Sequence, residues 1–153
     1  MQDIFTRVTF VGSQEIRGGL LASIAAHKKA GLIVISLERA YLENSEIDGR
    51  IEITRSVDSD GNELLVRSRR MGSPDKSRQF EVLRNKKNIA LVDDVVFSGQ
   101  TIIETISELN HRQANVHAVT TAIGVKDGID NLKKDTTHIF TWTSGFQVGK
   151  LAV

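Results

Sequence analysis

Residues 89–101, IALVDDVVFSGQT, hold the densest set of chemically useful side chains in the chain. Four apolar residues, Ile89, Ala90, Leu91 and Val92, lead into two adjacent carboxylates, Asp93 and Asp94, and then into a turn around Gly99. Two ionised neighbours repel unless a cation or hydroxyl donors sit with them, and a diol held together with Mg²⁺ would meet that need. Behind them, the N–H groups of residues 97–101 would open a helix, where first-turn amides have no intrahelical acceptor and the helix dipole favours an anion. Ser98 and Thr101 add hydroxyl donors, and Gly99 lets backbone approach without a Cβ in the way. A competing reading is purely structural: the acids end a strand, while Thr101 and Glu104 form a capping box. The apolar run, the acid pair and the Ser-Gly-x-Thr turn in register favour the ligand site.

A second such segment is GSQEIRGG at residues 12–19, with Ser13, Gln14, Arg17 and Gly18 at the start of a predicted helix. An arginine beside free helix amides suits a leaving group whose negative charge grows in the transition state. An ordinary glycine-rich turn is the structural alternative. The histidines offer no metal-ligand spacing: His27 and His111 fall at predicted helix C-termini, and His117 and His138 in predicted strands.

The elements that must position these residues follow from hydrophobic period. Residues 8–11 (VTFV) and 32–35 (LIVI) read as buried strands around a helix whose apolar face is Ile16, Leu20 and Ile24. That helix should stop at His27, Lys28, Lys29 and Gly31, cations at its negative end followed by a glycine cap. Strand, helix and strand joined by short turns predict a parallel sheet. Residues 50–69 instead alternate on both sides of the turn cluster DSDGN, which predicts a projecting hairpin. A loop with Pro74 and a short helix to Leu83 come next, and the parallel pattern then resumes. It runs as strand 89–92, a helix through Ile102, Ile106 and Leu109, strand 116–123, a short helix at 128–134 and strand 138–142. The expected fold is α/β: one domain over residues 1–153, a parallel sheet core flanked by helices, with a hairpin and flexible loop at about 48–84. In such sheets ligands bind beyond the carboxyl ends of the strands, where both segments lie.

Composition narrows the function. The 153 residues contain no cysteine, which excludes disulfides, thiolate metal sites and thiol nucleophiles. Net charge is +1, so no overall field draws the chain to nucleic acid. No apolar run approaches the ~20 residues of a membrane span, and the opening residues MQDIFTRVTF lack the pattern of a secretory signal. A cytoplasmic location is expected. Locally the charge is uneven: residues 66–87 hold eight basic residues against two acids. Such an excess suits either a solvated face or a loop that handles anions.

Residues 89–101 resemble the phosphoribosyl-pyrophosphate motif of the type I phosphoribosyltransferases, in which four apolar residues, two acids and a Thr/Ser-Gly-x-Thr loop occur in that order. The resemblance implies displacement of pyrophosphate from the anomeric carbon of ribose by a base nitrogen, with Mg²⁺. It implies that Asp93 and Asp94 hold the ribose hydroxyls, and the Mg²⁺ indirectly through those hydroxyls or water. Phe97, Ser98, Gly99, Gln100 and Thr101 would then bind the 5′-phosphate. The segment with Ser13, Gln14, Arg17 and Gly18 looks like the family's pyrophosphate loop, and residues 50–84 stand where its mobile loop closes over the site. Arg67, Arg69, Arg70, Lys76 and Arg78 are the candidates there to meet the phosphates. Relatives that act on 6-oxopurines carry an acid where this chain has Phe97, so the resemblance favours a pyrimidine-like base such as orotate or uracil. An aromatic at that place is similar to the pyrimidine-operon attenuator branch, which implies an alternative: a weakly catalytic or non-catalytic sensor that reads RNA through residues 67–78. The family usually forms homodimers. A base-covering hood would come from the tail, where Trp142 and Phe146 stand near Gly145.

Overall fold

The computed structural model describes residues 11–67, 74–135 and 139–141. Residues 8–10 of the expected first strand, Arg69, Arg70, His138, Trp142, Gly145 and Phe146 lie outside the described residues.

Four of the expected strands, at 32–35, 89–92, 116–123 and 138–142, join the unexpected pair Gly49–Arg50 in a five-stranded parallel sheet, and the periodic segments become helices on its two faces. In chain order these are α1 (Ser13–Lys29), β1 (Ile33–Ser36), β2 (Gly49–Arg50), β3 (Ile53–Val57), β4 (Glu63–Arg67), α2 (Lys76–Glu81), β5 (Ile89–Val96), α3 (Gln100–His111), β6 (Val116–Gly124), α4 (Lys126–Asp135) and β7 (Ile139–Thr141). The sheet order is β2-β1-β5-β6-β7, with Ile33 opposite Ile89 and Ala90 opposite Ala118. The strand carrying the acid pair is thus central, and buried strands of a parallel sheet take continuous apolar runs.

Successive residues serve opposite faces. Val34 and Val92 pack with Ile16, Leu20 and Ile24 of α1. Ile35 and Leu91 pack on the other side with Ile102, Ile106 and Leu109 of α3, Leu132 of α4 and Phe80 of α2. Leu20, Val34, Leu91, Val92, Leu109 and Leu132 have no exposed surface; each such side chain contributes roughly 1.5–3 kcal/mol by leaving water. α1 ends as its sequence dictates. Gly31 takes φ +76°, and the N–H groups of Gly31 and Leu32 close on the carbonyls of Lys28 and His27. The His27 ring is buried against β6, Nε2 lying 2.8 Å from Thr120 Oγ1.

The hairpin is a separate two-stranded antiparallel sheet, β3 with β4, in register from Ile53–Arg67 to Val57–Glu63. Its turn is built by Asp58, whose Oδ1 accepts the N–H groups of Asp60 and Asn62 at 2.9 and 2.8 Å, while Gly61 takes φ +85°. The hairpin is anchored by Ile53 in the core and by Gln79, whose amide exchanges hydrogen bonds with both backbone groups of Glu52. One expected boundary moves. The central strand does not stop at Val92 but continues through Asp93 and Asp94 to Val96, and each residue from Asp93 to Val96, bar Asp94, has a paired partner on β6.

Candidate active site

Extending β5 through the acid pair leaves the two carboxylates close enough to oppose each other's charge. Leu91 faces α3 and Val92 faces α1, and Asp93, two residues on from Leu91, is on the α3 side. Asp93 accordingly lines a cavity of about 220 Å³ with Ser98, Gly99, Gln100 and Thr101. Asp94 does not line it; its Oδ1 accepts the N–H of Val95 at 2.8 Å, and its own N–H reaches Asp93 Oδ1 at 3.0 Å. Burial, and after it the charge of Asp94, push the Asp93 carboxyl up to about 7, with Glu38 adding to the effect. A group so held near neutrality is ready to accept a hydroxyl proton or a cation.

The loop after β5 is the cup the sequence pointed to. Gly99 caps α3 with φ +79°, so that the first helical hydrogen bond is Ile103 N–H to Gly99 O at 3.0 Å. First-turn amides are left without helical acceptors, and only that of Gln100 leans on Ser98 Oγ, at 3.3 Å. Thr101 and Glu104 form no capping box here: Gly99 is the cap, and Glu104 instead accepts from Arg55 at 3.1 Å and from Gln100 Nε2 at 3.1 Å. Phe97 stands at the mouth with 73% of its surface exposed.

Four residues escaped the sequence reading. Arg55, on β3, lines the same cavity and brings a cation to it from the hairpin. Gly128 and Asn131 of α4 pack behind the loop that forms the cup. A Cβ on Gly128 would lie 2.2 Å from the Phe97 carbonyl oxygen, and Asn131 Nδ2 donates to the Ser98 carbonyl at 3.2 Å. Glu38, just past β1, is buried and accepts the N–H groups of Ala40, Tyr41 and Leu42 at 2.7, 2.7 and 3.0 Å. Its signal was visible in principle, since ISLE at 35–38 repeats the apolar-run-then-acid pattern of LVDD.

The other expected residues gather elsewhere. Ser13, Gln14 and Arg17 line a second, more open cavity of about 400 Å³, closed on its far side by residues 40–43. Arg17 is engaged: its guanidinium forks onto Glu46, Nη1 to Oε2 at 2.9 Å, and also donates to the Tyr41 carbonyl. Gly18 is exposed on α1 and faces open space. Of the loop candidates, Lys76 pairs with Glu108 of α3 at 2.7 Å, Arg78 is exposed on α2, and Arg67 ends β4. Among the described residues no cluster of three acids or histidines forms a protein-only metal site, and no helix is long and apolar enough to cross a membrane.

A parallel sheet with a carboxylate and an amide cup at its carboxyl edge has its cavity where open α/β sheets bind ligands. By sequence alone, no family model and no curated protein matches this chain. By structure, it resembles adenine phosphoribosyltransferase from Saccharomyces cerevisiae, solved with an imino-altritol bisphosphate and adenine, at TM-score 0.51 and 12% identity over 84% of this chain and 78% of that one. It also resembles the adenine enzyme of Trypanosoma brucei, solved with AMP, pyrophosphate and ribose-5-phosphate, at TM-score 0.52 and 12% identity over 93% of this chain and 72% of that one. The fold is therefore that of the type I phosphoribosyltransferases, as the 89–101 motif implied.

Proposed function

We propose that the chain binds 5-phosphoribosyl pyrophosphate and transfers its phosphoribosyl group to a nitrogenous base, releasing pyrophosphate. The observation that carries this reading is the convergence of Asp93 with residues 97–101 on one cavity at the carboxyl edge of the sheet. In this reading the cup holds the 5′-phosphate through the amides of residues 98–101 and the hydroxyls of Ser98 and Thr101. Asp93, on the cavity side, and Asp94, beside it, hold the ribose hydroxyls. The C1–pyrophosphate bond then breaks as the base nitrogen bonds to C1, and Arg17 with the start of α1 receives the departing charge. Mg²⁺ suits the pair, because a carboxyl held up by burial and a like charge is relieved by a cation. Asp93 and Asp94 would hold it through ribose hydroxyls or water, and it would supply charge neutralisation on the polyanion.

Two features bear on the acceptor base. Phe97 leaves no acid at the cup mouth and led to the expectation of orotate or uracil, whereas the structural neighbours are adenine enzymes by name. A base panel must therefore include all three. The Arg17–Glu46 pair favours one second reading, a ligand sensor that binds the phosphosugar with little turnover. A homodimer and an RNA partner remain expectations carried by the resemblance.

The test is calorimetric titration with 5-phosphoribosyl pyrophosphate and Mg²⁺, followed by assay of pyrophosphate release with adenine, orotate and uracil. Binding that is lost in Asp93→Asn/Asp94→Asn with the fold retained, and release with one base, are the expected results. Binding without release by any base selects the sensor. Absence of binding to the wild type overturns the reading.

A further inference from the structure

We infer that Glu46 is an internal competitor for the anion site at Arg17, and that it sets how tightly this chain holds a pyrophosphate group. This inference rests on the phosphoribosyl reading above and concerns the second cavity, where Arg17 meets residues 40–43.

Both positive features of that cavity's wall already face an acid of the chain. The guanidinium of Arg17 gives its two terminal nitrogens to the two oxygens of Glu46. That parallel fork is the geometry in which arginine also takes two phosphate oxygens, so carboxylate and phosphate ask for the same donors. On the opposite wall, the N–H groups of residues 40–42 converge on the Glu38 carboxylate, which also pairs with Arg50 at 3.6 Å.

The two acids differ in how they are held. The Glu38 side chain has no exposed surface and is fixed by three backbone donors, so it is part of the loop's framework. Glu46 keeps 20% of its side-chain surface and Arg17 keeps 36%, so water and solute reach their pair. A pair at that exposure is worth little and exchanges readily for a stronger anion. Glu46 itself is tethered by its turn, its Oε2 also accepting the Glu43 N–H at 2.7 Å, so it stays beside the site when displaced. A pyrophosphate group entering here must displace this carboxylate or sit next to it, and either lowers its affinity. The mutual pairing is consistent with the Glu46 carboxyl lying below its ordinary range and the Arg17 guanidinium above.

The experiment titrates the wild type, Glu46→Gln and Arg17→Gln/Glu46→Gln with inorganic pyrophosphate and, separately, with ribose 5-phosphate. The amide in Glu46→Gln keeps an oxygen for the Glu43 N–H, so the turn is retained, and unfolding temperature checks it. Glu46→Ser provides the same charge change if the first variant does not fold. Removing the competing carboxylate should tighten pyrophosphate binding about threefold, leave ribose 5-phosphate binding unchanged, and lose its effect when Arg17 is also replaced. Pyrophosphate binding that is unchanged, weaker or undetectable in Glu46→Gln overturns the inference, as does a gain that survives without Arg17. Failure of the phosphoribosyl reading is seen separately, as a wild type that binds neither ribose 5-phosphate nor 5-phosphoribosyl pyrophosphate.

Discussion

Asp93 stores a conflict that a proton or a bound cation relieves. Its carboxyl titrates near 7 because burial and Asp94 oppose its charge, while an Asp in the unfolded chain titrates at about 3.9. The folded state therefore holds the proton more tightly, and between those two values the native chain binds more protons than the unfolded one. Stability contributed by this residue is full below the unfolded value and is lost as pH rises toward 7. Asp93→Asn removes the titration while keeping the shape. It should unfold at the same temperature as wild type near pH 4, and a few degrees higher at pH 8, where the charged Asp93 is most costly. It should also lose 5-phosphoribosyl pyrophosphate binding. Thermal unfolding of both proteins across pH 4–8 checks this, and equal melting temperatures at pH 8 would refute it. The pair was legible in the sequence as two adjacent acids after an apolar run. What distinguishes them was not, because it depends on how far β5 runs: with the strand continuing to Val96, Asp93 lines the cavity and Asp94 does not.

At the level of elements, the cup depends on a helix that carries none of its ligand-facing groups. α4 packs so closely that Gly128 meets the Phe97 carbonyl, and a Cβ on Gly99 would lie 2.9 Å from the Gly128 carbonyl oxygen. Two effects oppose each other in Gly128→Ala. Helix propensity favours alanine by up to about 1 kcal/mol. Against it, the new methyl would sit 2.2 Å from Phe97 O and 2.7 Å from Phe97 C. Those are backbone atoms that cannot rotate away, and overpacking of this kind costs about 1–3 kcal/mol. The clash wins, and relief of it moves the cup. Gly128→Ala should lower the unfolding free energy by about 1–2 kcal/mol and weaken ribose 5-phosphate binding together with it; denaturant unfolding and calorimetry measure the two. The sheet, helices and hairpin were readable because each is written in local period and turn residues, from LIVI to DSDGN. The α4 brace was not, since nothing local to Gly128 or Asn131 announces a contact with residues some thirty positions earlier.

Over the whole molecule, the site joins the main sheet to the hairpin. The cup belongs to the main sheet and α3, whereas Arg55 rides on the separate β3–β4 sheet and reaches the cavity through its pair with Glu104. A phosphate in the cup would draw that guanidinium as a second counter-charge, so that ligand binding ties the hairpin to the core. Linkage makes this measurable. A ligand present at about 100 times its dissociation constant stabilises the native state by about 2.7 kcal/mol, which in a chain of this size raises the melting temperature by about 5–11 °C. Ribose 5-phosphate should produce a shift of that order in the wild type. In Arg55→Gln, at the same ligand concentration and relative to its own ligand-free melting temperature, the shift should shrink by several degrees. A full shift in that variant would mean that the hairpin cation does not reach the phosphate, and that the two sheets respond to ligand independently.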